Sequence, residues 1–242
     1  MPVNRFYVDR DLQKDAQVII EGDEFYHLRD STRTKPGEVV ELINGRGFLA
    51  EGVVAEIKKA HASIEVKSSL FQDKEDGKII LIQGVPRMNR LDTIIEKATE
   101  LGVTAIHLFM GDRSERKGLS ESSLQRVDKI AIAATKQCGR LYLPEIATFD
   151  NLEQSVSHDD TTLFFGDVNP AAPLFVEEWN RIRPVGAIAF VIGPESGLSP
   201  AEEEFLKSRR AIGVKLAENI LRTDTAPILA IGLVKHLCLM HK

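Results

Sequence analysis

The sequence predicts an α/β protein in two parts: a small N-terminal β-barrel, then a mostly parallel sheet with helices on both faces. Three observations carry that reading. Through the first part of the chain, short runs rich in β-branched residues are separated by Gly, Asn or Pro, the spacing of a small barrel. From residue 79 the period changes, and apolar strands alternate with amphipathic helical stretches. Between them lies FQDKEDGK, residues 71–78, polar and without apolar periodicity. The expected division is therefore a barrel over 1–72, a linker over 73–78 and a larger α/β domain over 79–242.

In the first part, RFYVD, AQVIIEG, GEVVELING, FLAEGVVAEI and HASIEVKSSL read as the strands. GDEFYHLRDSTRTKPG interrupts them with a short helix and a basic tip at Arg29, Arg33 and Lys35. In the second part KIILIQGV is a buried strand, followed by NRLDTIIEKATELGV. There Leu91, Ile94, Ile95, Ala98 and Leu101 recur on one helical face, and Gly102 ends the helix. TAIHLFM is the next strand, SESSLQRVDKIAIAATKQCG the next helix, and TTLFF and GAIAFVI are further strands. SPAEEEFLKSRR starts a helix with Ser199 as N-cap, Pro200 at the first helical position and Glu202 closing a capping box. AIGVKL and the helical TDTAPILAIGLVKHLCLM close the sequence.

Composition excludes several classes. The 242 residues are 43% hydrophobic and 28% charged, ordinary values for a globular protein. No apolar run approaches the roughly 18 residues of a membrane span, and the opening MPVNRFYVDRDL lacks the order of a signal peptide. Cys138 and Cys238 make no disulfide framework, and the six histidines show no paired spacing, so no metal is expected. A reduced cytoplasmic setting follows. The net charge of −5 hides a bias: residues 78–143 carry 11 Lys/Arg against 7 Asp/Glu, and residues 145–208 carry 3 against 12. A local excess of cations is enough for a phosphate-binding face.

In open α/β sheets, ligands sit beyond the carboxyl ends of the strands. Two segments compete for that place: Gly193-Pro194-Glu195-Ser196-Gly197 after one strand, and LAENILRTDTA, residues 216–226, after another. The glycines of the first let backbone groups approach a ligand closely. Neither is a dinucleotide fingerprint or a P-loop. A hydrolase elbow is disfavoured, because Ser196 directly precedes the second glycine.

VIGPESGLSPAEE and ENILRTDTAPILAI resemble the two C-terminal signatures of the SPOUT superfamily of RNA methyltransferases. Within it they are most similar to the family of ribosomal RNA small subunit methyltransferase E, with its G-P-E-G-G-L-S and L-R-T-E-T-A segments. EKATELGV and AIAATKQCGR resemble two further patterns of that family, and YHLRD…KPGEVVEL more loosely resembles its PUA-like RNA-binding domain. The sequence departs from the pattern at Ser196 for glycine, Asp224 for glutamate, Lys136 for glutamate and Asn219 for arginine.

The resemblance implies a PUA-like barrel followed by a SPOUT-type domain closed by a deep trefoil knot, working as a homodimer. It implies S-adenosylmethionine as cofactor and N3 of a uridine in 16S ribosomal RNA, presented in the assembled small subunit, as target. Two alternatives stay open: a transfer RNA or ribose 2′-hydroxyl target, and an RNA-binding relative without catalysis. Carried onto this sequence, the cofactor would lie among Ile192, Gly193, Pro194, Gly197, Leu198, Leu216, Asn219, Ile220, Leu221, Thr225 and Ala226. Arg222 is the expected electrostatic catalyst. Asp224 and Glu195 are candidates for proton removal, with structural roles as the competing reading. RNA contacts are expected from Arg10, Arg29, Arg33 and Lys35 on the barrel, and from Arg113, Arg116, Lys117, Gln137 and Arg140 beyond it. His27 near the barrel tip is a candidate for base stacking.

Overall fold

The computed structural model describes residues 4–74, 77–115, 117–156 and 161–240. The chain divides into two compact units, Met1–Glu75 with Ile132–Leu143, and Asp76–Ala131 with Pro144–Lys242. The first break falls inside the polar 73–78 stretch. The inclusion of 132–143 in the first unit has no compositional marker.

In the first unit, β1 (Arg5–Tyr7), β2 (Gln17–Glu21), β3 (Val39–Ile43), β4 (Phe48–Ile57) and β5 (His61–Phe71) form one sheet in the order β1-β3-β4-β5-β2. β1 runs parallel to β3, and the other pairs are antiparallel. Two register shifts in β4, at Glu51/Gly52 and Val54/Glu56, bend the long β4–β5 hairpin. Gly52 sits at the first bend, where a Cβ would lie 2.5 Å from Ile64 Cγ2. No ladder joins β1 to β2 among the described residues, so the expected barrel is an open, bent sheet. Phe6, Ile20, Leu42 and Ile64 fill its inner face. The expected short helix is α1 (Gly22–Tyr26), which widens into a π-helical turn over His27–Ser31 and buries Phe25 and Leu28. Residues 132–143 join this unit through real bonds. Gly47 N donates to Leu141 O at 2.9 Å, Leu143 N to Gly45 O at 3.0 Å, and Tyr142 Oη to Gln72 O at 2.9 Å. Lys136 pairs with Glu24 at 2.5 Å, which gives that family departure a local partner.

The second unit is a six-stranded parallel sheet built from β6 (Ile79–Gly84), β7 (Ala105–Phe109), β8 (Glu145–Phe149), β9 (Thr161–Gly166), β10 (Ala187–Ile192) and β11 (Ile212–Val214). Its order is β11-β9-β10-β6-β7-β8. After β6 the chain moves outward to β7 and β8, then returns to the other side of β6. The switch therefore lies between β6 and β10, where the two strands pair directly. Every residue of β6 is buried, as a strand covered on both faces requires.

One face packs against α2 (Met88–Leu101), α5 (Phe175–Ile182), α7 (Thr225–Met240) and the first turns of α3 (Glu121–Cys138). The other meets α4 (Leu152–Ser155) and α6 (Pro200–Ser208). Gly102 closes α2 at φ 93°, and the capping box at Ser199 is formed as expected. The sequence reading passed over β8, α4 and α5. β8 is a half-exposed edge strand with no strong alternation, and α4 and α5 are too short for a clear helical period.

Phe164, Phe175, Trp179 and Phe190 form an aromatic cluster beneath α5, with Trp179 and Phe175 edge to face at 5.8 Å. Trp179→Ala should lower unfolding free energy by about 3–5 kcal/mol through the cavity it leaves, read as an earlier urea midpoint with an unchanged slope.

Candidate functional site

The carboxyl ends of β6 and β10 meet at the switch, and the chain there permits an unusually close approach. A Cβ on Gly84, the last residue of β6, would lie 2.6 Å from Pro194 Cδ and 2.7 Å from Pro194 N. A Cβ on Gly193 would lie 2.8 Å from Leu198 N, because the loop after β10 folds back on itself. That fold-back is a tight turn in which Gly197, at φ +73°, donates its N–H to Pro194 O at 2.9 Å. Both glycines at the contacts are required by space, and Gly197 by its backbone angle.

The second loop, after β11, is tied to the first by a buried side chain. Gln83 is fully buried, and its Nε2 lies 2.9 Å from Gly84 O, 3.2 Å from Thr223 Oγ1 and 3.3 Å from Gly193 O. Thr223 Oγ1 in turn donates to Gly193 O at 2.8 Å. A buried amide is costly unless bonded, so the loops settle where these acceptors converge on it. Gln83 Oε1 has no partner and stays buried beside the crevice.

The two carboxylates expected near the chemistry share one cation. Arg90, in the first turn of α2, donates from Nη1 to Asp224 Oδ1 at 3.0 Å and holds Nε 3.4 Å from Glu195 Oε1. Glu195 also accepts the Arg87 N–H at 3.0 Å. Both carboxylates thus join α2 to the two loops. Arg87 itself is exposed, and its hydrogen bonds to Glu115 hold the guanidinium above its ordinary pKa.

Ser196, a further departure from the family pattern, also has a partner in this unit. Ser196 Oγ donates to Arg113 O at 2.6 Å, while Arg113 Nη1 donates to Leu198 O at 3.0 Å. The loop carrying Arg113 is further held by Ser199 Oγ on Asp112 Oδ2 at 2.6 Å and by Asp112 N on the buried Glu202 at 3.1 Å. Arg113 therefore serves as a latch on the 193–199 loop. Asn219 is exposed, as is Ile220, at 81%.

Arg222 stands apart. Its carbonyl accepts Thr225 N and Ala226 N, both at 2.9 Å, which starts α7. Its exposed guanidinium has no ion pair among the described residues, and Asp224 is taken by Arg90 instead. Ile192, Pro194 and Leu198 are buried, Leu216 and Ala226 pack half-buried against the core, and Leu221 is half-buried on the second loop. Thr225 is exposed at the first turn of α7. Of the expected RNA contacts in this unit, Lys117 is exposed and Arg116 lies outside the described residues. In the first unit Arg10, Arg29, Arg33, Lys35 and Gln137 are exposed, Arg140 is half-buried, and exposed His27 packs edge-on against Phe6 at 5.7 Å. Nowhere among the described residues do His, Cys, Asp and Glu cluster to hold a metal.

Sequence reasoning missed Gln83, Gly84, Arg87 and Arg90. A signal existed for the first: a lone amide inside the apolar run KIILIQGV has to find acceptors. Replacing Gln83 by Leu should lower stability by about 1–3 kcal/mol through the unpaired carbonyls left behind. Gly84→Ala should destabilise by a similar amount, as the end of β6 and the 193–199 loop are forced apart. Guanidinium denaturation of both variants checks this.

Comparison with known proteins gives matches of three kinds. The RNA methyltransferase domain family matches residues 73–235, and the RNA methyltransferase PUA domain family matches residues 20–67. Ribosomal RNA small subunit methyltransferase E of Helicobacter pylori is 30% identical over 226 residues, covering 91% of this chain and 95% of its own. The Mycobacterium bovis protein of the same name is 28% identical, covering 95% and 90%. Among solved structures, the Neisseria gonorrhoeae protein of that name, bound to S-adenosyl methionine, superposes with a TM-score of 0.84 at 30% identity and covers 98% of each chain.

Proposed function

The chain belongs to the ribosomal RNA small subunit methyltransferase E family, and from that premise we propose that it methylates N3 of a uridine in 16S ribosomal RNA. The cofactor is S-adenosylmethionine, as in the similar Neisseria protein. The observation that carries the reading is the junction at the carboxyl ends of β6 and β10, where the glycine-bearing 193–199 loop and the loop after β11 are stapled together by Gln83.

The residues present fit that cofactor. Gly84 and Gly193 let the end of β6 and the 193–199 loop pack backbone against backbone, and Gln83 Oε1 is a buried acceptor without a donor among the described residues. Gly193, Pro194, Gly197 and Leu198 would form one wall, and Leu216, Leu221, Thr225 and Ala226 the other, with Ile192 at the base. Asn219 and Ile220 would close the outer edge. When bound, S-adenosylmethionine supplies an already activated methyl group, so the protein contributes orientation and electrostatics.

Arg222, on the second loop, has a permanently charged guanidinium with no ion pair among the described residues. It stabilises the negative charge that grows on the uracil oxygens as the N3 proton leaves. Arg90 engages Asp224 and Glu195, which suits them to positioning the two loops rather than to taking the proton. The C-terminal segment after β11 is proposed to thread as the trefoil knot of SPOUT proteins. Exposed Leu239 and Met240 at the end of α7 suit burial against a second copy in a homodimer. None of the helices among the described residues is long and apolar enough to cross a membrane, in keeping with work on ribosomal subunits in the cytoplasm.

Titration calorimetry should give a one-to-one heat with S-adenosylmethionine, and tritium from its methyl group should appear in small-subunit RNA at a single uridine. Arg222→Ala should lower kcat by about 100–1000-fold while leaving cofactor affinity near wild type. Absence of heat at saturating cofactor, or methyl on a ribose instead of the base, would sink the assignment.

A further inference from the structure

The first unit holds a groove of about 770 Å³ at the tip of the β4–β5 hairpin, lined by Arg29, Ile57, Lys58, Lys59, Ala60 and His61. Four of these six side chains carry or can acquire positive charge. Composition did not single out this site, since Lys58 and Lys59 look like an ordinary polar turn between strands.

Two features distinguish the groove from a solvated turn. Its Arg29 guanidinium stacks over two aromatic rings, 5.1 Å from the Tyr26 centroid and 5.4 Å from that of Phe25. Phe25 is buried and fixes the stack, while Tyr26 is 54% exposed and presents a ring to solvent. A rigid aromatic ring beside a guanidinium plane is a surface on which an unpaired base can stack. The second feature is the charge. Lys59 and His61 have no ion pair among the described residues, whereas Arg29 is bonded to Asp30 and Lys58 to Glu56 at 3.1 Å. Those two pairs are exposed, and Glu21 stands opposite His61 in the β2–β5 ladder. Surface pairs of this kind are weak and readily exchanged for phosphate oxygens.

We propose that this groove anchors single-stranded RNA: a base stacks on the Tyr26–Arg29 platform, and the backbone phosphates on either side of it are held by Lys58, Lys59 and His61. The proposal rests on the reading of the chain as an RNA methyltransferase and adds where the substrate is gripped outside the cofactor crevice. It moves the expected RNA footprint from Arg33 and Lys35 to the hairpin tip, with Arg29 common to both.

Fluorescence anisotropy of a labelled oligouridylate of about 12 nucleotides on the full chain tests it, with salt varied. Lys58→Ala/Lys59→Ala should weaken binding about tenfold or more near 0.1 M salt and reduce the log–log salt slope by about 1.4. Tyr26→Leu should weaken binding about tenfold with the slope unchanged. Lys58→Arg/Lys59→Arg should restore both affinity and slope, and circular dichroism guards against misfolding. Wild-type affinity and slope in Lys58→Ala/Lys59→Ala overturns the groove. Methyl transfer to small-subunit RNA is measured in parallel. If wild type transfers methyl while the groove variants bind normally, the groove fails and the methyltransferase reading stands. If wild type transfers none while binding still depends on Lys58, Lys59 and Tyr26, the groove stands and that reading fails.

Discussion

The side-chain amide of Gln83 decides the geometry of the crevice. It leaves the end of a strand whose every residue is buried, so it has no water to satisfy it. Its acceptors come from three places far apart in sequence: Gly84 beside it, Gly193 after β10 and Thr223 before α7. One buried donor group therefore brings together two loops that composition treats as unrelated. The glycines follow from that convergence, because backbone can meet backbone at Gly84 and Pro194 only without a Cβ between them.

Around this centre, charge is used for alignment and kept apart from the chemistry. Arg90 ties Asp224 and Glu195 to the start of α2, and Arg113 ties the fold-back at Ser196 to the loop after β7. The capping box at Ser199 does two jobs, since Glu202 also holds the Asp112 backbone. With these groups occupied, Arg222 has no ion pair among the described residues. A charge that does not have to break a bond before acting suits the transition-state role proposed for it. Ser196 and Asp224, although unlike the family's usual residues, each sit in a bonded role consistent with an intact site.

Much of this was legible in the residues alone. One change of period, at residue 79, separates a run of β-branched strands from strands alternating with amphipathic helices. The helix of Leu91 to Leu101, its glycine stop and the Ser199 cap appear where local chemistry put them. Local signals failed where structure is made by neighbours. β8 is a strand because β7 offers it an edge, and α5 is a helix because Phe175 and Trp179 have an aromatic pocket to fill. Residues 132–143 join the first unit through backbone bonds to Gly45 and Gly47, which no helical period announces.

Sequence by itself determined the class of fold, the two candidate loops, the methyltransferase resemblance and the list of charged residues worth suspecting. The resemblance rests on matched motifs; the rest follows from period, turn chemistry and spacing, which are properties of neighbouring residues. Only tertiary structure decided that Arg90 rather than Arg222 meets Asp224, and that Gln83 joins the two loops. It also gathered Lys58, Lys59 and His61 into one groove with Arg29. Those are contacts across strands and loops distant in the chain, and burial and hydrogen bonding select them after the chain has folded.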